Sequence, residues 1–286
     1  MGPRAAGGII EGAVAILALL LLESPAAAQS PSKDDYLKNI ELCNGSSRIS
    51  LDARIDGCTA IIDAGQRSPN ALTIAYNNRG NAYAARGDYD RAIEDFDQSI
   101  KLDRNYAKPV NNRGVVYLRK GEYDEAIEAF GEAIKLKANY GEAFANRAEA
   151  YLKTQAYDRA ARDYDEAIRL NPALEAPWNG RCWTRAITGP LQAAMEDCNK
   201  VLASGSKNAA AYDSRGLIQL KLGNFSKAVD DYGSALRLDP KLASALYGRG
   251  LARRKLGDEA GSRRDIAAAQ TMQAGIVDDF TRYGIR

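Results

Sequence analysis

Large and small apolar residues recur along this chain at helical spacing, interrupted by short glycine-bearing breaks. Tyr76, Gly80 and Tyr83 fall at i, i+4 and i+7, one stripe of a helix. "RGDY" at 86–89 breaks that helix, with Gly87 free to take a positive φ. Ala92, Phe96 and Ser99 then mark the stripe of a second helix. The same places hold Gly114, Tyr117, Ala126, Phe130 and Ala133, and again Ala148, Tyr151, Ala160, Tyr164 and Ala167. Gly216, Ala228, Tyr232 and Ala235 occupy them further along. Small residues let paired helices approach, and the aromatics fill the space beside them. Turns such as "LNPA" at 170–173 and "LDPK" at 238–241 close the units. The pattern predicts an all-α chain of helix-turn-helix pairs.

The pairs have a fixed period. "NNRG" at 77–80 returns at 111–114, and "ANRA", "NGRC", "DSRG" and "YGRG" follow at the same step of 34 residues. A repeat of that length decides the architecture. On these residues the chain resembles the tetratricopeptide repeat, a helix-turn-helix unit of 34 residues. The resemblance implies a right-handed α-solenoid over residues 35–276, with units starting near 35, 73, 107, 141, 175, 209 and 243. The first unit is degenerate. Residues 29–34 read as a linker and 277–286 as a C-terminal tail that caps or folds over the last unit. Departures are local: Arg185 stands where a tyrosine is usual, beside a "TGPL" turn, and the last unit carries Arg253, Glu259 and Ser262.

The period also carries an arginine, at Arg79, Arg113, Arg147, Arg181, Arg215 and Arg249. Sixteen residues after each come Asp95, Ala129, Asp163, Asp197, Asp231 and Asp265, so five of the six have an aspartate at one offset. A guanidinium can bind a carboxylate with two parallel hydrogen bonds. The expected structural ion pairs are therefore Arg79–Asp95, Arg147–Asp163, Arg181–Asp197, Arg215–Asp231 and Arg249–Asp265, within or between units. The alternative is an anion-binding arginine stripe.

Composition narrows the function. Lys and Arg number 39 against 37 Asp and Glu, which gives no electrostatic reason to expect nucleic acid. Histidine is absent, which removes the commonest general base and metal ligand. With no phosphate-cradling loop and no nucleophile elbow, no enzyme, cofactor, metal or small-molecule substrate is expected. Arg4, the apolar run "GAVAILALLLL" at 12–22, Pro25, Ala26 and Ala28 read as a signal peptide over residues 1–28, cleaved before Gln29. The expected location is outside the cytoplasm, in the periplasm first, with secretion or an uncleaved membrane anchor as alternatives. Membrane contact is expected only with that anchor. Cys43 and Cys58 lie 15 apart, and Cys182 and Cys198 lie 16 apart, each pair split between the two helices of a unit. In an exported chain two disulfides are the natural reading, each worth about 3 kcal/mol on the chain-entropy model. Four buried free thiols are the alternative.

Repeats of the resembled kind stack so that their first helices line a concave face, which takes an extended peptide or a partner's helix. Read by spacing, that face carries Asn77, Asn81, Asn111, Val115, Leu118, Glu149, Leu152, Asn179, Trp183, Asp213, Leu217, Leu220, Tyr247, Leu251, Arg254 and Lys255. The asparagines would hydrogen-bond a ligand backbone, and the apolar groups would take side chains. Burial by neighbouring helices is the alternative for each of them. Some members of the family clamp a carboxylate end with lysine, arginine and asparagine. Here Glu142 and Glu149 stand among the asparagines instead. Arg253, Arg254, Lys255, Arg263 and Arg264 make the last unit locally basic, as an acidic-ligand site or as a polar cap. The expected role is a protein-interaction scaffold. The alternative is an accessory of envelope assembly that contacts membrane or polysaccharide.

Overall fold

The computed structural model describes residues 32–45, 48–65, 68–203, 205 and 207–285. The expected signal peptide lies outside them. Among the described residues the secondary structure is helical throughout. The pairs are α1 (Lys33–Asn44) with α2 (Leu51–Asp63), α3 (Pro69–Arg86) with α4 (Tyr89–Leu102), and α5 (Ala107–Lys120) with α6 (Tyr123–Leu136). They continue as α7 (Gly141–Lys153) with α8 (Tyr157–Leu170), and α9 (Glu175–Thr188) with α10 (Leu191–Leu202). Then come α11 (Ala209–Lys221) with α12 (Phe225–Leu238), α13 (Ala243–Lys255) with α14 (Glu259–Met272), and the short α15 (Ile276–Arg282). No helix among the described residues is long and apolar enough to cross a membrane.

Each helix of the pairs packs on the next along the chain. The odd-numbered helices α1 to α13 also touch one another down the stack, whereas the even-numbered ones do not. A stack whose one row is closer together curves toward that row. The odd helices therefore line the concave face of an all-α solenoid.

Local chemistry sets each unit. Gly87 closes α3 at φ 86°, where its amide reaches Ala84 O and the Asp88 amide reaches Tyr83 O. This crossed pair satisfies carbonyls that the helix end would otherwise leave open. In the fourth unit Gln155 takes the corresponding place at φ 61°, a conformation that disfavours a Cβ. Between helices, glycine makes room for an aromatic ring. A Cβ at Gly80 would stand 2.8 Å from Phe96, and one at Gly216 would stand 2.8 Å from Tyr232. Gly180 against Tyr164 and Gly248 against Tyr232 are closer still, so these rings also wedge into the following unit. Phe96, Phe130 and Tyr232 are fully buried, each side chain contributing roughly 2–3 kcal/mol of apolar burial.

The repeating arginine works in both directions along the stack. Arg79 donates from Nε and Nη2 to both oxygens of Asp95 at 2.8 Å, and its Nη1 reaches Thr59 of the preceding unit. Arg147, Arg181, Arg215 and Arg249 make the same two-pronged bond to Asp163, Asp197, Asp231 and Asp265. Arg181 and Arg215 also reach back to Asp165 and Asn199. Arg113, which faces Ala129, reaches Asp97 and Glu132 instead. The two departures from the usual tyrosine have a use: Arg185 and Arg253 add a second guanidinium to Asp197 and Asp265. Cys43 is bonded to Cys58 between α1 and α2, and Cys182 to Cys198 between α9 and α10.

Candidate functional site: a groove half filled by the chain's own tail

Asn77 and Asn111, in the first units, are not free for a ligand. Asn146 Nδ2 donates to Asn111 Oδ1 (3.0 Å), Asn111 to Asn112 (3.3 Å), and Asn112 to Asn77 (3.0 Å). Asn77 then donates to Asn78 (3.2 Å) and Asn78 to Asn44 (3.1 Å). One continuous chain of amides thus crosses four odd helices, each bond polarising the next. This corrects the expectation that Asn77 and Asn111 meet a ligand backbone: both are buried and spent on neighbouring amides. Asn81, Val115, Leu118 and Leu152 are half-buried along the same face, and Glu149 is exposed.

The second half of the groove is filled from within. Ile276, Phe280 and Tyr283 fall at i, i+4 and i+7 of the tail and turn inward as one stripe. Phe280 meets Tyr247 with ring centroids 4.8 Å apart, and Tyr283 meets Trp183 edge-on at 5.2 Å. Ile276 and Phe280 are 2% exposed, and Ile285 packs on the same cluster. Leu217, Leu220, Tyr247 and Leu251, expected to be open to a ligand, are buried in that cluster. Arg254 and Lys255 stay exposed at the rim of a cavity of about 480 Å³ that Ile285 also lines. Lys221, at the same cavity, donates to Ala186 O (2.6 Å) and Ile187 O (3.2 Å) near the end of α9, and burial lowers its pKa.

A larger cavity of about 840 Å³ opens beside the tail helix, whose Ile276, Asp279, Arg282 and Tyr283 line it. Glu149, Leu152, Asn179, Trp183, Asp213 and Tyr283 are among its walls. Asp213 is 6% exposed; its Oδ2 accepts from Ser244 Oγ at 2.7 Å, and its Oδ1 has no partner. Burial pushes its carboxyl up to about 7, against the opposing effect of the Ser244 bond. Asn179 Oδ1 is also buried without a partner. The cause of both lies in the amide chain. Donors at the places of Asn112 and Asn146 serve acceptors 35 residues earlier. The same offset assigns Asn179 to Ser214, whose hydroxyl turns back to Ala210 O, and Asp213 to Gly248, which has no side chain. Ser244, Tyr164, Asp279 and Tyr283 belong to this site and were not singled out as site residues by spacing. The i, i+4, i+7 pattern in the tail was the available signal. Among the described residues no group of side chains is arranged to hold a metal ion.

Comparison with known proteins agrees with this geometry. Profiles of the tetratricopeptide repeat match residues 73–106, 107–140 and 141–174, and a TPR-repeat profile matches 216–257; together they span half of the chain. No curated protein sequence matches. Among solved structures, a tetratricopeptide repeat protein from Parabacteroides merdae is 16% identical with a TM-score of 0.64, over 87% of this chain and 99% of the other. YrrB, described as a TPR protein with an unusual peptide-binding site, is 22% identical with a TM-score of 0.54, over 68% and 98%. PilW, described as a type IV pilus biogenesis factor, is 16% identical with a TM-score of 0.62, over 70% and 93%. At these identities the likeness is one of fold.

Proposed function

Because this chain belongs to the tetratricopeptide repeat family and its concave groove already holds a helical segment, we propose that it is an exported protein-interaction scaffold. The groove takes an extended peptide or a partner's helix. The docked tail carries the reading: a short helix with apolar and aromatic residues on one stripe buries against Trp183 and Tyr247. A ligand of similar chemistry lies along Val115, Leu118 and Leu152, where the groove is open, and ends at the larger cavity. Export is supported by the two cystine bridges, which suit an oxidising compartment, together with the apolar run at 12–22 and the small residues before Gln29.

A photoreactive residue at position 152 tests the groove, with one at the exposed position Glu128 on the opposite row as control. Labelling of a partner from 152 alone, lost in Leu118→Glu, is the expected result. Equal labelling from both positions contradicts the reading. Export is checked separately: N-terminal sequencing should begin at Gln29, and non-reducing peptide maps should recover Cys43–Cys58 and Cys182–Cys198.

A further inference from the structure

We infer that Asn179 Oδ1 and Asp213 Oδ1 form a receptor for a cationic N–H donor: the ammonium or guanidinium end of a basic side chain on the groove's peptide ligand. The inference rests on the groove reading and names the chemistry that its central cavity selects. Both unpartnered atoms are buried acceptors, and their residues line the same cavity of about 840 Å³. Buried acceptors without donors are costly, and the nearby Tyr232 hydroxyl, itself buried without a partner, bonds to neither, so the site lacks a donor that reaches them. The lack is built into the repeat. Three units supply an asparagine at the donor place, and Ser214 and Gly248 withhold one where the cavity lies.

Charge and shape decide which donor. A carboxylate buried without a cation calls for positive charge rather than for a neutral amide. Around the cavity the charged groups are Glu149, Asp213 and Asp279 against Lys153 and Arg282, and Arg282 is already paired with Asp279. Exposed Glu149 and Lys153 then offset each other on α7, which leaves Asp213 as the remaining acidic group. Trp183, Tyr164 and Tyr283 supply aromatic walls, which favour a cation near their ring faces. The open groove along Leu118 and Leu152 leads to this cavity, so a side chain can descend from a peptide held there.

The test uses the full oxidised chain and three capped amino acids: N-acetylarginine amide, N-acetyllysine amide and N-acetylcitrulline amide. Citrulline matches arginine in shape but carries no charge. Titrations are followed at the Trp183 indole N–H by NMR. At least one of the two cationic probes should shift that signal and bind roughly tenfold or more tightly than citrulline. The comparison of the two cations identifies which basic residue is read. Asp213→Asn should remove the preference, and Asn179→Ala should weaken binding in a second background if the first variant folds poorly. Citrulline binding as tightly as both cations, or no shift with either cation, overturns the inference. Failure here is separable from failure of the groove reading. If a peptide still crosslinks at position 152 while Asp213→Asn leaves cation preference unchanged, the groove stands and the cationic site falls. If the cations bind at Asp213 while position 152 labels nothing, the site stands without the peptide.

Discussion

Replacing Asp213 by asparagine should make the protein more stable at pH 8 and leave it nearly unchanged at pH 4. Burial raises the carboxyl from 3.8 to about 7. A shift of about 3 units at 1.36 kcal/mol per unit is about 4 kcal/mol. The sign follows from which state holds the proton. Between 3.8 and about 7 the folded protein keeps the proton while the unfolded chain has released it, so stability falls as pH rises through that window. Above about 7 the full penalty is present, and below about 4 it has vanished. Asparagine fills the same space without titrating, so the variant gains up to about 4 kcal/mol over wild type at pH 8. Other groups do not confuse the comparison. Ser244 does not titrate, Tyr232 and Tyr283 are held neutral above this window by burial, and the paired aspartates are common to both proteins. Guanidinium unfolding followed by tryptophan emission reports on this half of the stack, since Trp178 and Trp183 both lie on α9. A wild-type-minus-variant difference that stays flat from pH 4 to 8 would refute the reasoning, as would a variant less stable at pH 8.

Four further outcomes are expected. Arg147→Ala and Asp163→Ala should destabilise non-additively, with a coupling of about 1–3 kcal/mol in a double-mutant cycle; a coupling near zero removes the stapling role. Gln155→Gly should stabilise by up to about 1 kcal/mol, because it relieves a Cβ at φ 61°, and a lower melting temperature contradicts this. Gly216→Ala should cost about 1–3 kcal/mol by pushing a methyl into the Tyr232 ring, checked by chemical denaturation. Ending the chain after Gly275 should uncover Trp183 and Tyr247, seen as red-shifted tryptophan emission and binding of an apolar dye; unchanged emission shows that the tail does not cover the groove in solution.

The architecture was legible because period and chemistry agree. A step of 34 residues, glycine opposite aromatic and arginine opposite aspartate each repeat often enough to rule out coincidence. The odd helices α5, α7, α9, α11 and α13 begin at Ala107, Gly141, Glu175, Ala209 and Ala243. The site was less legible for a physical reason. Spacing along one helix says which residues share a face but not what crosses that face from elsewhere. Asn77 and Asn112 are 35 residues apart and bonded, a contact made by stacking rather than by helical period. Likewise Trp183 and Tyr283 meet only because the tail returns 100 residues later in the chain. Arg113 illustrates the same limit: Ala129 removes its expected partner, and the stack supplies Asp97 from the preceding unit.

Order and exception divide the groove into two halves with different consequences. Where the donor place is asparagine, the odd helices are tied to one another through side-chain amides, and the amide oxygens of Asn77 and Asn111 are satisfied without any ligand. Where it becomes Gly180, Ser214 and Gly248, the tie is lost and acceptors are left buried. Sequences consistent at every level fold well, and the places where a rule is broken at a cost are the places to look for function. Here the cost is quantifiable at Asp213, whose carboxyl is held near neutrality in a buried position. A repeat selected only for stability could have placed asparagine at 213, as it did at 77 and 111. Retaining a carboxylate beside an open cavity, with the tail helix lining one of its walls, is the arrangement expected of a groove that keeps one anchoring point for a partner and covers its apolar remainder itself.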